Sequence, residues 1–272
     1  MKCLLYLITA LTLINNSVAQ TGVQSRVLKE SITLTMALTA DDDMPGTKGA
    51  SVVWHPVFKR YYAAMAGNGN YPLCVFDSKG KRLSGDEHVT LADVRGLWYN
   101  TITKGIQGNA YGDLGWFKYT LQADAMVYDV KLLKRGQNQP GLQSVGTFYP
   151  AKMQVAFLKE SEVIFYNSET AMATDSLVIH WGKTKLTGDA REMQPSGYNT
   201  TNMVITGLPG SELGFLNADE KQIELYNIKT GLLIKKLQLP KMAVTEKIFN
   251  FAYANGIFWL FDMDSRTWTG YK

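Results

Sequence analysis

The chain repeats itself. Aligned without a gap, residues Asn202 to Asn227 fall on Lys247 to Lys272, so that Phe215-Leu216-Asn217-Ala218-Asp219 superimposes on Leu260-Phe261-Asp262-Met263-Asp264. The same frame sets Ile223 on Trp268 and Tyr226 on Tyr271. One gap brings in an earlier copy, with Tyr149-Pro150 on Leu208-Pro209 and Val163-Ile164-Phe165-Tyr166-Asn167 on Ile223-Glu224-Leu225-Tyr226-Asn227. A third copy runs from His55-Pro56 through Tyr61-Tyr62-Ala63-Ala64-Met65 to Leu73-Cys74-Val75-Phe76-Asp77, and a fourth, weaker one surrounds Leu97-Trp98-Tyr99 and Trp116-Phe117-Lys118-Tyr119. A unit of this size cannot bury its own apolar face and must stack on its neighbours.

Each copy follows one grammar. A short apolar strand meets a turn, an alternating strand follows, and a polar Gly/Asn/Asp turn leads to a strand ending in aromatic-Asp or aromatic-Asn before a last strand. The apolar positions alternate with period two in short runs broken by turn residues, which excludes helices. Four strands per unit of roughly 40 to 50 residues is the signature of a β-propeller blade. The pattern resembles the WD-repeat and YVTN-repeat forms of the β-propeller superfamily, with Tyr226-Asn227-Ile228-Lys229-Thr230-Gly231 the best match to a third strand closed by Thr-Gly. That resemblance implies a fold and no particular functional family.

Blades are expected over residues 48 to 90, 92 to 138, 143 to 182, 198 to 240, and 246 to 272. The last copy stops three strands into its unit. The alternating N-terminal segment from Leu28 to Leu38 is therefore expected to supply its fourth strand and close the ring, removing two open sheet edges. The expected fold is an all-β, five-bladed β-propeller of four-stranded antiparallel blades. Six blades is the alternative, if residues 182 to 200 hide a degenerate strand pair.

Residues 1 to 19 read as a secretory signal peptide: Lys2, an apolar stretch from Leu4 to Ile14, and Ser17-Val18-Ala19 as the cleavage site. The mature chain is then one domain over 20 to 272, exported to a bacterial periplasm or the exterior. Cys3 precedes the apolar stretch, the wrong place for a lipid anchor, and no stretch matches the ~20 apolar residues of a membrane span. Cys74 is then the lone thiol, read as buried and inert. A formal net charge of +4 with 19% charged residues leaves no basic stripe for nucleic acid.

No nucleophile elbow, phosphate loop or paired-histidine metal motif is present. His55, His88 and His180 are too scattered for a metal motif. Asp77, Asn167 and Asn227 recur at equal positions, where turn capping is the expected role, and most of the six tryptophans are expected to pack between blades. No catalytic residue, metal or cofactor is assigned. Two long connections, 39 to 49 and 182 to 197, belong to the class of propeller loops that commonly binds ligands. The ligand-binding face is therefore read as Asp42, Asp43, Glu87, Asp93, Trp181, Lys183, Asp189, Arg191, Glu192 and Tyr198. The leading reading is a monomeric, non-catalytic module of the bacterial envelope that binds a protein or a polar or carbohydrate ligand. The alternative is a glycoside hydrolase or lyase with pore carboxylates drawn from Glu87, Asp93, Asp189, Glu192 and Glu246. A third reading, a subunit of a larger assembly, calls for an exposed apolar patch.

Overall fold

A computed structural model of the chain describes residues 23 to 40, 47 to 186 and 193 to 272. Asp42, Asp43, Asp189, Arg191, Glu192 and the expected signal segment lie outside the described residues.

Two N-terminal strands come first, β1 (Gln24–Val27) and β2 (Glu30–Thr35). The first blade is β3 (Lys48–His55), β4 (Arg60–Ala66) and β5 (Leu73–Asp77); the second is β6 (Val94–Asn100), β7 (Gly105–Ala110), β8 (Trp116–Leu121) and β9 (Val127–Lys134). The third is β10 (Thr147–Tyr149), β11 (Gln154–Lys159), β12 (Glu162–Asn167) and β13 (Ala173–Val178). The fourth is β14 (Tyr198–Ile205), β15 (Leu213–Asn217), β16 (Gln222–Tyr226) and β17 (Leu233–Gln238), and the fifth is β18 (Phe251–Ala254), β19 (Ile257–Asp262) and β20 (Thr267–Tyr271). Two short 3-10 turns, Gly112–Leu114 and Pro150–Lys152, are the helical elements among the described residues, and none is long and apolar enough to cross a membrane. The chain is a five-bladed β-propeller.

Closure is as the repeat arithmetic requires. β2 pairs antiparallel with β20, setting Leu34 opposite Trp268 and Thr33 opposite Thr269, and so completes the fifth blade. Lys29 and Lys272 exchange backbone hydrogen bonds at 3.0 and 2.9 Å. β1 adds a contact that the sequence did not announce. It lies parallel on β17, making the fourth sheet five-stranded, with Gln24 opposite Lys235 and Val27 opposite Gln238.

The first blade departs from the expectation of four strands. Its outer position holds two isolated bridges, Pro72 to Val89 and Phe76 to Arg82, in place of a strand. The Ser84 hydroxyl accepts the Val75 N–H at 3.0 Å, so a side chain takes the place of a ladder bond and no fourth strand extends.

The core is five seams. In β4, Tyr61, Ala63 and Met65 pack with Trp259, Phe261 and Trp268 of the fifth blade, while Tyr62, Ala64 and Ala66 pack with Val94, Ile106 and Phe117 of the second. The period of two survives, but both faces are apolar because each faces a neighbouring blade. Five of the six tryptophans are buried, and only Trp54 is half-exposed. Cys74 is buried, accepts the Ala37 N–H at 3.2 Å, and burial pushes its thiol up, which keeps it protonated and unreactive.

The recurring Asp and Asn residues cap turns. Asp77 Oδ1 accepts the Lys79 and Lys81 N–H groups, Asn167 Oδ1 those of Glu169 and Thr170, and Asn227 Oδ1 those of Lys229 and Thr230, at 2.8 to 3.1 Å. In the resemblance motif, Gly231 sits at φ +66, and a Cβ there would collide with the Val178 carbonyl of the third blade. Glycine at that point serves both the turn and the close approach of the two blades.

Candidate functional site

Five inner strands, β3, β6, β10, β14 and β18, surround a central channel, and its two ends differ. The upper end, where these strands begin, is filled by side chains. Arg95 is the extra residue of a bulge between Val94 and Gly96, which turns its guanidinium out of the β6–β7 ladder. It forms a two-pronged ion pair with Asp93, donates to Gln143 Oε1 at 2.8 Å, and lies 5.6 Å from the ring centroid of Phe249. Lys48 of the first blade is 5.8 Å from the same ring. Phe249 donates its N–H to Thr201 Oγ1 at 2.6 Å, and its carbonyl accepts Asn199 Nδ2 at 2.8 Å. Residues of the first, second and fourth blades thus meet on Phe249, which with Arg95 is almost fully buried. Phe249 and Asn250 both hold left-handed backbone, φ 52 and 58, a strain that the surrounding bonds maintain.

The lower end is open. A cavity of 220 Å³ there is lined from all five inner strands and the turns that follow, by Trp54, Trp98, Tyr99, Thr147, Phe148, Ile205, Tyr253 and Asn255 among others. Each half-exposed ring is braced from behind: Trp54 by Tyr61 at 4.5 Å, Tyr99 by His55 at 4.9 Å, and Tyr253 by Phe258 at 4.8 Å. Burial raises the Tyr253 phenol, so it stays neutral. The hydroxyls of Tyr99, Tyr253 and Thr147 and the Trp54 indole N–H have no bonded partner among the described residues, so the rings offer polar groups at their edges. Among the described residues lining this cavity there is no carboxylate. It can stack and hydrogen-bond a flat ring.

Two larger cavities lie elsewhere among the described residues. One of 400 Å³ lies beside the upper end, between Pro140 to Ser144, Leu158 to Glu160 and Thr200-Thr201. Another of 360 Å³ lies between the third and fourth blades, lined by Lys152, Asp175 and Lys229 among others.

Of the described residues expected to form a ligand face, Asp93 reaches the upper channel end, where Arg95 and the Gly67 N–H occupy its carboxylate. Glu87 is exposed on the connection leaving the first blade. Trp181 and Tyr198 are brought together, ring centroids 4.7 Å apart, in the seam between the third and fourth blades. There the Tyr198 and Tyr226 hydroxyls both donate to Glu224 Oε2 at 2.6 Å, and Tyr226 Oη accepts the Gly182 N–H at 2.9 Å. Lys183 is exposed, and its carbonyl accepts the Leu233 N–H at 2.8 Å. Glu224, fully buried, was not singled out from the sequence: it stands at an inward position of an alternating strand, where only its charge among apolar neighbours could have marked it.

Among the described residues no three His, Cys, Asp or Glu side chains gather to hold a metal ion. Glycosidase chemistry needs two carboxylates ~5 to 9.5 Å apart across one pocket. The Asp93 carboxylate is held by Arg95, and Asp189 and Glu192 lie outside the described residues.

No family model matches the chain, and no curated protein matches it either. Solved structures do. The glutaminyl cyclase of Myxococcus xanthus is similar over 92% of this chain and 98% of its own, with a TM-score of 0.56 at 10% identity. The likeness is one of fold. A structural-genomics protein of unknown function from Bacteroides thetaiotaomicron is similar over 92% of this chain and 73% of its own, with a TM-score of 0.49 at 11% identity. Raptor from Chaetomium thermophilum follows over 91% of this chain and 29% of its own, with a TM-score of 0.48 at 12% identity.

Proposed function

We propose that the chain is a non-catalytic binding module of the bacterial envelope whose ligand seat is the lower end of the channel. The observation that carries this reading is the 220 Å³ aromatic cavity with hydroxyl and indole groups free at its edges. Binding pockets for drug-sized molecules run to ~300 to 1,000 Å³, so this one suits a single ring, either a pyranose or an aromatic side chain. The bracing of each ring from behind lowers the entropy lost when a ligand is gripped. The upper end, filled by Arg95 and Phe249, supports one-sided access.

Ligand-observed saturation-transfer NMR with N-acetyltyrosinamide and with cellobiose tests the seat. Transfer to one probe in the wild type, lost in Trp54→Ala and in Tyr99→Ala, is the expected result. Transfer unchanged in both folded variants would place binding elsewhere.

A further inference from the structure

The turns around the lower mouth carry a second pattern. In the first blade the turn after β3 exposes Val57 and Phe58 and ends on Lys59; in the second the turn after β6 exposes Ile102 and ends on Lys104. Val57, Ile102 and, in the fourth blade's turn, Leu208 are 69, 63 and 45% exposed, unusual for large apolar side chains grouped around one opening. The two lysines are equivalent in conformation as well as in place, both left-handed with φ 52 and 51. Their turns are held alike from the preceding residue. His55 Nδ1 accepts the Phe58 N–H at 3.3 Å, and Asn100 Oδ1 accepts the Ile102 and Thr103 N–H groups at 3.0 and 3.1 Å.

Charge on these turns is one-sided. Neither Lys59 nor Lys104 has an ion-pair partner among the described residues. Glu212, on the fourth blade's turn, is folded back onto the Gly210 and Ile228 N–H groups at 2.8 and 3.2 Å. Lys152, on the third blade's turn, adds a further cation, 3.9 Å from Asp175 at the periphery. An apolar ring with unpaired cations beside an aromatic hole is a surface whose complement is apolar at its tip and anionic at its flanks.

We infer that the lower face docks an acidic protein segment bearing one large aromatic or aliphatic side chain. That side chain enters the channel mouth, and the flanking carboxylates meet Lys59 and Lys104. The inference rests on the reading of the mouth as a ligand seat and adds the class of partner. The cavity admits one ring and no folded element, so the contact is a single-anchor interface of the small, transient kind. An anionic membrane is disfavoured as the occupant, because the rings line a concavity that a lipid surface does not fill.

The test uses capped pentapeptides, Asp-Glu-Trp-Glu-Asp, its Trp→Ala version, and a Lys-Lys-Trp-Lys-Lys counterpart, titrated calorimetrically at about 50 mM salt, where surface charge is weakly screened. The acidic tryptophan peptide should bind at least about tenfold tighter than either control. Lys59→Glu/Lys104→Glu should abolish or reverse the preference for acidic flanks, and Val57→Ser/Ile102→Ser should weaken the acidic peptide severalfold. Equal binding of the acidic and basic peptides would overturn the inference, as would phosphatidylglycerol vesicles pulling down the wild type but not the double glutamate variant while the acidic peptide fails. If N-acetyltyrosinamide still binds when the acidic peptide does not, the partner class is wrong and the seat stands. If the acidic peptide, N-acetyltyrosinamide and cellobiose all fail to bind, both readings fall.

Discussion

Lys236 Nζ lies 2.9 Å from Glu224 Oε1, across one rung of the ladder between β16 and β17, and the two ends of the pair differ in surroundings: the lysine side chain is 37% exposed and the carboxylate not at all. The lysine stem reaches inward while its charge stays near water. The other carboxylate oxygen takes two tyrosine hydroxyls, so the charge is compensated from both sides. Both phenols are raised far above their usual range by burial first, and the adjacent carboxylate adds to the effect, so they remain donors at any physiological pH.

Removing one member of such a buried pair should be costly. Glu224→Ala and Lys236→Met are each expected to lose about 3 kcal/mol, which in a domain of this size is roughly 6–12 °C of melting temperature. The double variant should lose less than the two single losses added together. Calorimetric melts check this, and single losses below about 1 kcal/mol would mean that water screens the site.

Stability should also fall on mild acidification. Burial lowers the titration of His55 and His88 below the usual histidine value, so the unfolded chain takes up protons that the native one resists. Their contribution is complete above about pH 6.5 and is lost as pH falls below it. His55→Asn should flatten part of this slope while keeping the turn, because Asn100 caps the equivalent turn of the next blade with the same kind of acceptor. Urea midpoints at pH 7.5 and 5.2 measure the effect, and an unchanged slope in His55→Asn would rule out His55 as its source.

Ring closure predicts that Leu34, fully buried opposite Trp268, behaves as a core residue although it lies in an edge strand near the start of the chain. Leu34→Ala should cost about 2–5 kcal/mol. A chain lacking residues 20 to 40 should aggregate, which size-exclusion chromatography would reveal. A monomeric truncation with an unchanged melting temperature would contradict the pairing.

Gly231→Ala and Gly256→Ala separate turn strain from blade contact. Both glycines are left-handed, φ 66 and 75, but a Cβ at 256 meets nothing within 4 Å. Gly256→Ala should therefore cost only the backbone term of about 1–2 kcal/mol, and Gly231→Ala distinctly more, because the Val178 carbonyl must shift. Chemical denaturation compares the two directly.

Blade number and closure were legible because inward-facing alternation and Asx-capped turns recur in every unit. Asp77, Asn167 and Asn227 do the same local work three times, and local hydrogen bonding writes itself into sequence. The missing fourth strand of the first blade was not legible, since Lys81 to Ser84 looks no worse than other outer strands until Ser84 bonds to Val75. Nor was β1, four residues of mixed polarity docked at an edge. The lower-mouth aromatics escaped notice for a different reason. Trp54, Tyr99 and Tyr253 are distant in sequence and lie on strands whose other aromatics are core, so only the ring geometry sets these three apart.

The N-terminal segment is bonded to the last two blades at once: β1 runs along β17, Leu28 N–H reaches the Gln238 carbonyl at 2.8 Å, and Ser31 bonds across to Gly270. The segment can pack on the first blade early, through Leu34, Met36 and Ala37, but β1 has no ladder partner until β17 is made and β2 none until β20 is made. Until β20 is made the growing molecule is an open crescent, and β2 waits without the strand it will cover. Sealing then has two stages, β1 covering the edge of β17 and β2 that of β20, so a delay in finishing the fifth blade leaves β2 without its ladder after β1 is already docked.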